Sequence, residues 1–137
     1  MSPMNATPDE TAAGRNRRFP APELEALAKA KALGVRAGTE HRFTGVWVVM
    51  VEGRVFVRSW NDKPTGWFRA FRDEPRGSIR LGDREIAVRA KLTRSERLRA
   101  AVSSAYAAKY PTKGSQKWVI GFAEPQRERT TLELVPL

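Results

Sequence analysis

An α+β fold built on a small antiparallel barrel is predicted by three observations in this 137-residue chain. Two pairs of short β-prone runs are each joined by a two-residue turn signal. Gly45–Val51 meets Arg54–Trp60 through Glu52-Gly53, and Ser78–Leu81 meets Arg84–Ala90 through Gly82-Asp83. Amphipathic helical patterns flank and separate these hairpins without β-α-β alternation, which points to antiparallel pairing. The closing segment TTLELVP (130–136) has strand character again, with Leu132 and Leu134 facing inward.

Taken in order, residues 1–20 are polar and without periodicity, and are expected to form a disordered arm carrying Arg15, Arg17 and Arg18. Residues 21–137 are expected to form one domain. Pro22 opens a predicted helix over 22–33, with acidic residues early, lysines late and Gly34 as its C-terminal cap. The run VWVVMV (46–51) is apolar on both faces and is expected to lie centrally in the sheet. The next run alternates: Val55, Val57 and Ser59 face one way, and Phe56, Arg58 and Trp60 the other. Trp67, Ala70 and Phe71 lie at helical spacing, with Thr65 as N-cap or ligand-facing donor and Pro75 as the stop. In the second hairpin the turn pairs Ile79 with Ile86 and Arg80 with Glu85. Thr93-Arg-Ser-Glu96 reads as a capping box opening a helix, with Leu98, Val102, Ala105 and Tyr106 as its apolar stripe, that ends near Tyr110 before Pro111. KGSQKWVIGF (113–122) fits either a strand or a short helix.

Composition removes several kinds of chemistry. There is no cysteine, so disulfides, thiolate metal sites and a cysteine nucleophile are excluded. His41 is the single histidine, which rules out a multi-histidine metal site. No apolar run approaches the about 20 residues of a membrane helix, and the N-terminus lacks a signal-peptide pattern, so a cytoplasmic protein with no membrane partner is expected. The formal charge of +10 favours polyanions or phosphate-bearing ligands, nucleic acid included.

The stretches VWVVMVEGRVFVRSW (46–60), GWFR (66–69), the Gly-Asp hairpin, AYAAKYP (105–111) and TTLELVP in this order resemble a small bacterial family of unknown function. That family looks like part of the FMN-binding split-barrel superfamily, which includes pyridoxamine-phosphate oxidases and deazaflavin-dependent nitroreductases. The resemblance covers about residues 22–137. It implies a split β-barrel with flanking helices and a homodimer. It further implies a phosphate-bearing flavin or deazaflavin cofactor, with reductase chemistry. The corresponding cofactor loop is Arg58, Ser59 and Lys63, followed by Trp67. Here the loop reads WNDKPTG, with Asp62 beside the expected phosphate position and no Ser/Thr-rich segment.

Read from the residues, VRSWNDKPTGWFR (57–69) is a candidate anion site. Arg58 is either a snorkelling surface residue or a buried charge needing an anion, whether Asp62, Asp73 or a ligand. Lys63 and Arg69 can converge on the same anion from loop and helix, and Trp67 is either core or the wall against which a ring stacks. Tyr106 with Lys109 forms a second candidate cluster, either a proton donor beside a cation or a core tyrosine beside a surface lysine. The alternative to a cofactor protein is a non-enzymatic module that binds a small anionic ligand or nucleic acid.

Overall fold

The computed structural model describes residues 18–137; of the N-terminal arm expected over residues 1–20, Arg15 and Arg17 lie outside this range. Arg18 is exposed, whereas Phe19 is only 4% exposed and belongs to the core.

The elements, in chain order, are α1 (Ala21–Lys29), β1 (Ala32–Ala37), β2 (Thr44–Trp47), β3 (Val49–Val51), β4 (Arg54–Val57), α2 (Trp67–Asp73), β5 (Arg76–Leu81), β6 (Arg84–Leu92), α3 (Glu96–Lys109), a 3₁₀ turn (Lys113–Ser115), α4 (Gln116–Phe122), α5 (Pro125–Glu128) and β7 (Leu132–Pro136). The seven strands form one antiparallel sheet in the order β2-β1-β5-β6-β7-β4-β3. Its two edges, β2 and β3, are separated in sequence by Val48 alone. The sheet therefore curls until its edges are joined by a single residue, giving a nearly closed barrel within an α+β fold.

Both expected hairpins form in the expected register. Val51 pairs with Arg54 across a turn in which Glu52 and Gly53 have φ of 56° and 72°, the left-handed pair that a tight hairpin matching strand twist requires. Ile79 pairs with Ile86, and Arg80 with Glu85. The alternation along β4 also holds. Val55 and Val57 join the large cluster inside the barrel with Val35, Ile79, Val88 and Leu134, while Phe56 joins a second cluster on the other face with Leu98, Val102 and Tyr106 of α3.

Four expectations are corrected. The first helix ends at Lys29, and residues 32–37 form β1, so Gly34 pairs with Gly45 and Arg80 instead of capping a helix. The alternating burial of Leu33, Val35 and Ala37 in the barrel core outweighs the helical look of the lysine-alanine tract. The run VWVVMV is not central: it breaks at Val48 and supplies both edges. It is apolar on both faces because Val46 and Val48 point into the barrel while Trp47 and Val49 lie under α3. The cap of α3 is Ser95, whose hydroxyl accepts from Leu98 N at 3.2 Å, not Thr93. Thr93 instead lies buried with its carbonyl accepting from Arg99 Nε. At α2 the N-cap is Gly66, without a side-chain bond, so Thr65 does not cap. The segment KGSQKWVIGF, left open between strand and helix, is the 3₁₀ turn followed by α4. Among the described residues no helix is long and apolar enough to cross a membrane.

The break at Val48 leaves backbone groups without ladder partners, and α3 supplies them. Val48 N donates to Tyr110 Oη at 3.3 Å, and Lys109 Nζ donates to Val48 O at 2.7 Å and Leu27 O at 3.1 Å. Tyr110 Oη donates in turn to Lys31 O at 2.5 Å. Burial raises the Tyr110 phenol and lowers the Lys109 ammonium from their ordinary pKa values. Tyr110→Phe is expected to lower stability by about 1–2 kcal/mol, since it strips partners from Val48 N and Lys31 O without opening a large cavity. A denaturant midpoint that falls with an unchanged m-value is the expected reading.

Candidate functional site: a tryptophan cavity and an arginine cavity

The chain contains four tryptophans, and all four line one cavity of about 340 Å³. Trp47 comes from the β2 edge, Trp60 from the segment after β4, Trp67 from the start of α2 and Trp118 from α4. Phe122 and Arg58 complete the wall together with the Gly45-Val46 backbone region. Edge-on packing fixes the rings: Trp60 meets Trp118 at 4.7 Å and Phe122 at 5.4 Å between centroids. On the other side Trp47 stacks on Tyr110 at 3.9 Å. Trp118 is 38% exposed and forms part of the rim.

Arg58 is 2% exposed. Its Nε donates to Thr131 Oγ1 at 2.8 Å, Nη1 to Ser103 Oγ and Phe122 O at 2.8 Å each, and Nη2 to Arg99 O at 2.6 Å. The guanidinium also lies 5.9 Å from the Tyr106 ring centre. Every hydrogen-bond partner is neutral. Neither Asp62 nor Asp73 meets it, so the buried charge is solvated by dipoles and has no carboxylate counter-ion among its partners. Desolvation correspondingly lowers its pKa from the usual arginine value. These four bonds engage four of the five guanidinium N–H groups.

The other expected site residues are dispersed. Ser59 is buried, its N–H donating to Thr130 Oγ1 at 2.9 Å and its hydroxyl to Asn61 O at 2.7 Å. Lys63 is exposed and lines neither cavity. Arg69 binds Asp62 through both carboxylate oxygens, at 2.8 and 3.1 Å, on the surface. The pair holds the Asp62 carboxyl below its ordinary pKa. The stretch thus brings Arg58 and Trp67 to one cavity, places Ser59 at another, and leaves Lys63 and Arg69 outside both. In the second expected cluster, Tyr106 is fully buried, donates to Trp47 O at 3.3 Å and is pushed to a higher pKa by desolvation. Lys109 points away from it into the Val48 clamp.

The second cavity, also about 340 Å³, lies across Trp60 and is lined by Ser59, Arg72, Arg127, Arg129 and Thr130, with Asp62, Phe68 and Gln126. The Arg127 guanidinium stacks on Trp60 at 3.6 Å from its ring centre, and its Nε donates to Trp60 O at 2.9 Å. Trp60 is therefore a shared partition: one side of its environment is aromatic, the other cationic. Sequence reasoning missed Trp47, Trp118, Arg127 and Arg129 as site residues. The available signals were a tryptophan in a segment of undecided structure and the arginines of QRERTT (126–131), none of which has a recognisable motif spacing.

A nearly closed antiparallel barrel with a lateral, aromatic-walled cavity defines this protein as a barrel-fold protein with a small-molecule-sized pocket. The family DUF2255, described as an uncharacterized protein conserved in bacteria, matches residues 23–134, and the chain belongs to it. The fold is similar to that of a conserved hypothetical protein, Rv2991, from Mycobacterium tuberculosis. That likeness has a TM-score of 0.57 at 13% identity and covers 87% of this chain and 80% of the other. A comparison with curated proteins finds no match.

Proposed function

We propose that the tryptophan cavity binds a small planar ring ligand with an electron-rich or anionic edge, of the flavin or deazaflavin type. The observation that carries this reading is the convergence on one cavity of all four tryptophans and a buried Arg58 whose hydrogen-bond partners are all neutral. Indole walls favour flat rings through stacking and edge contacts, and a buried guanidinium bonded only to neutral groups favours an electron-rich group nearby. The cavity volume of about 340 Å³ lies within the range of small-molecule sites. The resemblance to FMN-binding split barrels supports the same ligand class. A flavin or deazaflavin held there supplies hydride chemistry itself. Of the lining residues only Arg58 carries an ionisable side chain, and it is committed to four acceptors, so the cavity wall offers binding and orientation and no nucleophile.

Arg58, with only neutral hydrogen-bond partners, also favours a second reading, a non-enzymatic module for a small anionic aromatic metabolite. One titration addresses both. Adding FMN, a deazaflavin or a simple aromatic carboxylate is expected to quench tryptophan emission saturably, with one of the first two tightest if the cofactor reading holds. Trp118→Ala, at the exposed rim, is expected to weaken the affinity about tenfold. Absence of saturable quenching by all three ligands would refute the proposal.

A further inference from the structure

We propose that the cavity on the other side of Trp60 is an oxyanion site, built for the phosphate group of a small phosphate monoester. The site stands whether or not a ring occupies the tryptophan cavity. Three guanidiniums line it: Arg72 from the last turn of α2, Arg127 from α5 and Arg129 just after it. The lining holds one carboxylate, Asp62, whose two oxygens both accept from Arg69, and Glu124 outside the lining pairs with Arg127. With Asp62 paired to Arg69 and Glu124 paired to Arg127, Arg72 and Arg129 remain as two cations without an ion pair among the described residues, which matches a phosphate monoester carrying about −1.5 to −2 near neutral pH.

The arginines are held differently, and the difference suits capture of an anion. Arg127 is fixed: its Nε bonds Trp60 O, its Nη1 bonds Glu124 Oε1 at 3.1 Å, and its plane stacks on the indole. Its Nη2 has no acceptor among the described residues. Arg72 and Arg129 are exposed, and among the described residues neither forms an ion pair. Guanidiniums suit such a task because their planar N–H forks match two oxygens of a phosphate at once. The hydroxyl groups of Ser59 and Thr130 are spent on backbone carbonyls, at 2.7 Å each, so they shape the floor and leave recognition to the arginines.

A nucleic-acid backbone would present the same phosphate chemistry. A concave site that gathers three arginines at one place favours a single terminal phosphate over a chain of phosphodiesters, which a basic stripe would follow. The probes are inorganic phosphate, phenyl phosphate and a single-stranded oligonucleotide, each titrated by calorimetry at fixed ionic strength against the full chain. Saturable one-to-one binding of the first two is expected, and Arg72→Gln with Arg129→Gln is expected to weaken it at least about tenfold. Both side chains are exposed, so the double variant is expected to keep the wild-type melting midpoint. Three outcomes would each overturn the assignment: no binding of either small phosphate, binding unchanged in the double variant, or binding of the oligonucleotide with none of inorganic phosphate.

Discussion

Arg58→Met is expected to lower the unfolding free energy by about 3 kcal/mol, although it removes a buried charge that no carboxylate hydrogen-bonds. Two effects oppose each other. Loss of the charge returns a desolvation penalty, visible in the lowered pKa of the guanidinium. Loss of the donors strips Thr131 Oγ1, Ser103 Oγ, Phe122 O and Arg99 O of a partner at a largely buried position. The two hydroxyls keep other bonds, Thr131 Oγ1 to Glu128 O at 2.5 Å and Ser103 Oγ to Arg99 O at 3.3 Å. The decisive loss is at the Phe122 carbonyl, at the C-terminal end of α4, and in the tie that Arg58 makes between β4, α3, α4 and β7. Each stranded buried acceptor costs about 1–3 kcal/mol, and methionine fills the stem volume without restoring a donor. Arg58→Lys keeps a charge and three donors but cannot span four acceptors, so a smaller loss is expected. Urea denaturation of the three proteins measures both losses. A methionine variant as stable as the wild type would show that the guanidinium does not hold the fold together. Its retention would then rest on ligand binding alone.

Turns and alternating strands were the legible part of this molecule. Glu52-Gly53 and Gly82-Asp83 announce hairpins because the backbone conformation they need belongs to few residue types, and strand alternation then sets which side chains face the barrel. β1 was obscured because ALGVRA follows a genuine helix whose lysines and alanines extend the same composition, and its strand character comes from pairing with β2 and β5. The bend at Val48 was invisible: no glycine or proline marks it, and the groups that make it tolerable, Tyr110 and Lys109, lie about sixty residues later. The site was half legible for the same reason. Arg58 and Trp67 stand close in sequence and reach the same cavity, but Trp47 and Trp118 arrive through barrel closure and α4. Lys63 and Arg69 looked equally suited to an anion. Local ion pairing with Asp62 engaged Arg69, and the exposed loop carried Lys63 outward.

Gly121→Ala is expected to damage both cavities at once, through Trp60. A Cβ placed on Gly121 would lie 2.3 Å from Trp60 Cη2, 2.6 Å from Cζ3 and 3.2 Å from Arg127 Nη1. Contacts of the first two lengths cannot persist, so the indole must move. Its escape is restricted, because the Arg127 guanidinium stacks on it and bonds its carbonyl while Trp118 and Phe122 hold its edges. Helix propensity acts in the opposite direction, favouring alanine over glycine by up to about 1 kcal/mol inside a helix. Overpacking of a fixed core costs about 1–3 kcal/mol, and the short helix α4 gains little from propensity, so the clash wins and a net loss of about 1–2 kcal/mol follows. The effect on binding is expected to exceed the effect on stability, because a displaced Trp60 changes the wall of the aromatic cavity and shifts Arg127 in the cationic one. Tryptophan emission of Gly121→Ala should differ from that of the wild type in the native state. Titrations with a flavin and with inorganic phosphate should both weaken. A variant with wild-type emission and wild-type affinity for either ligand would show that Trp60 is not the common partition. In that event the two cavities would have to be treated as unrelated surface features.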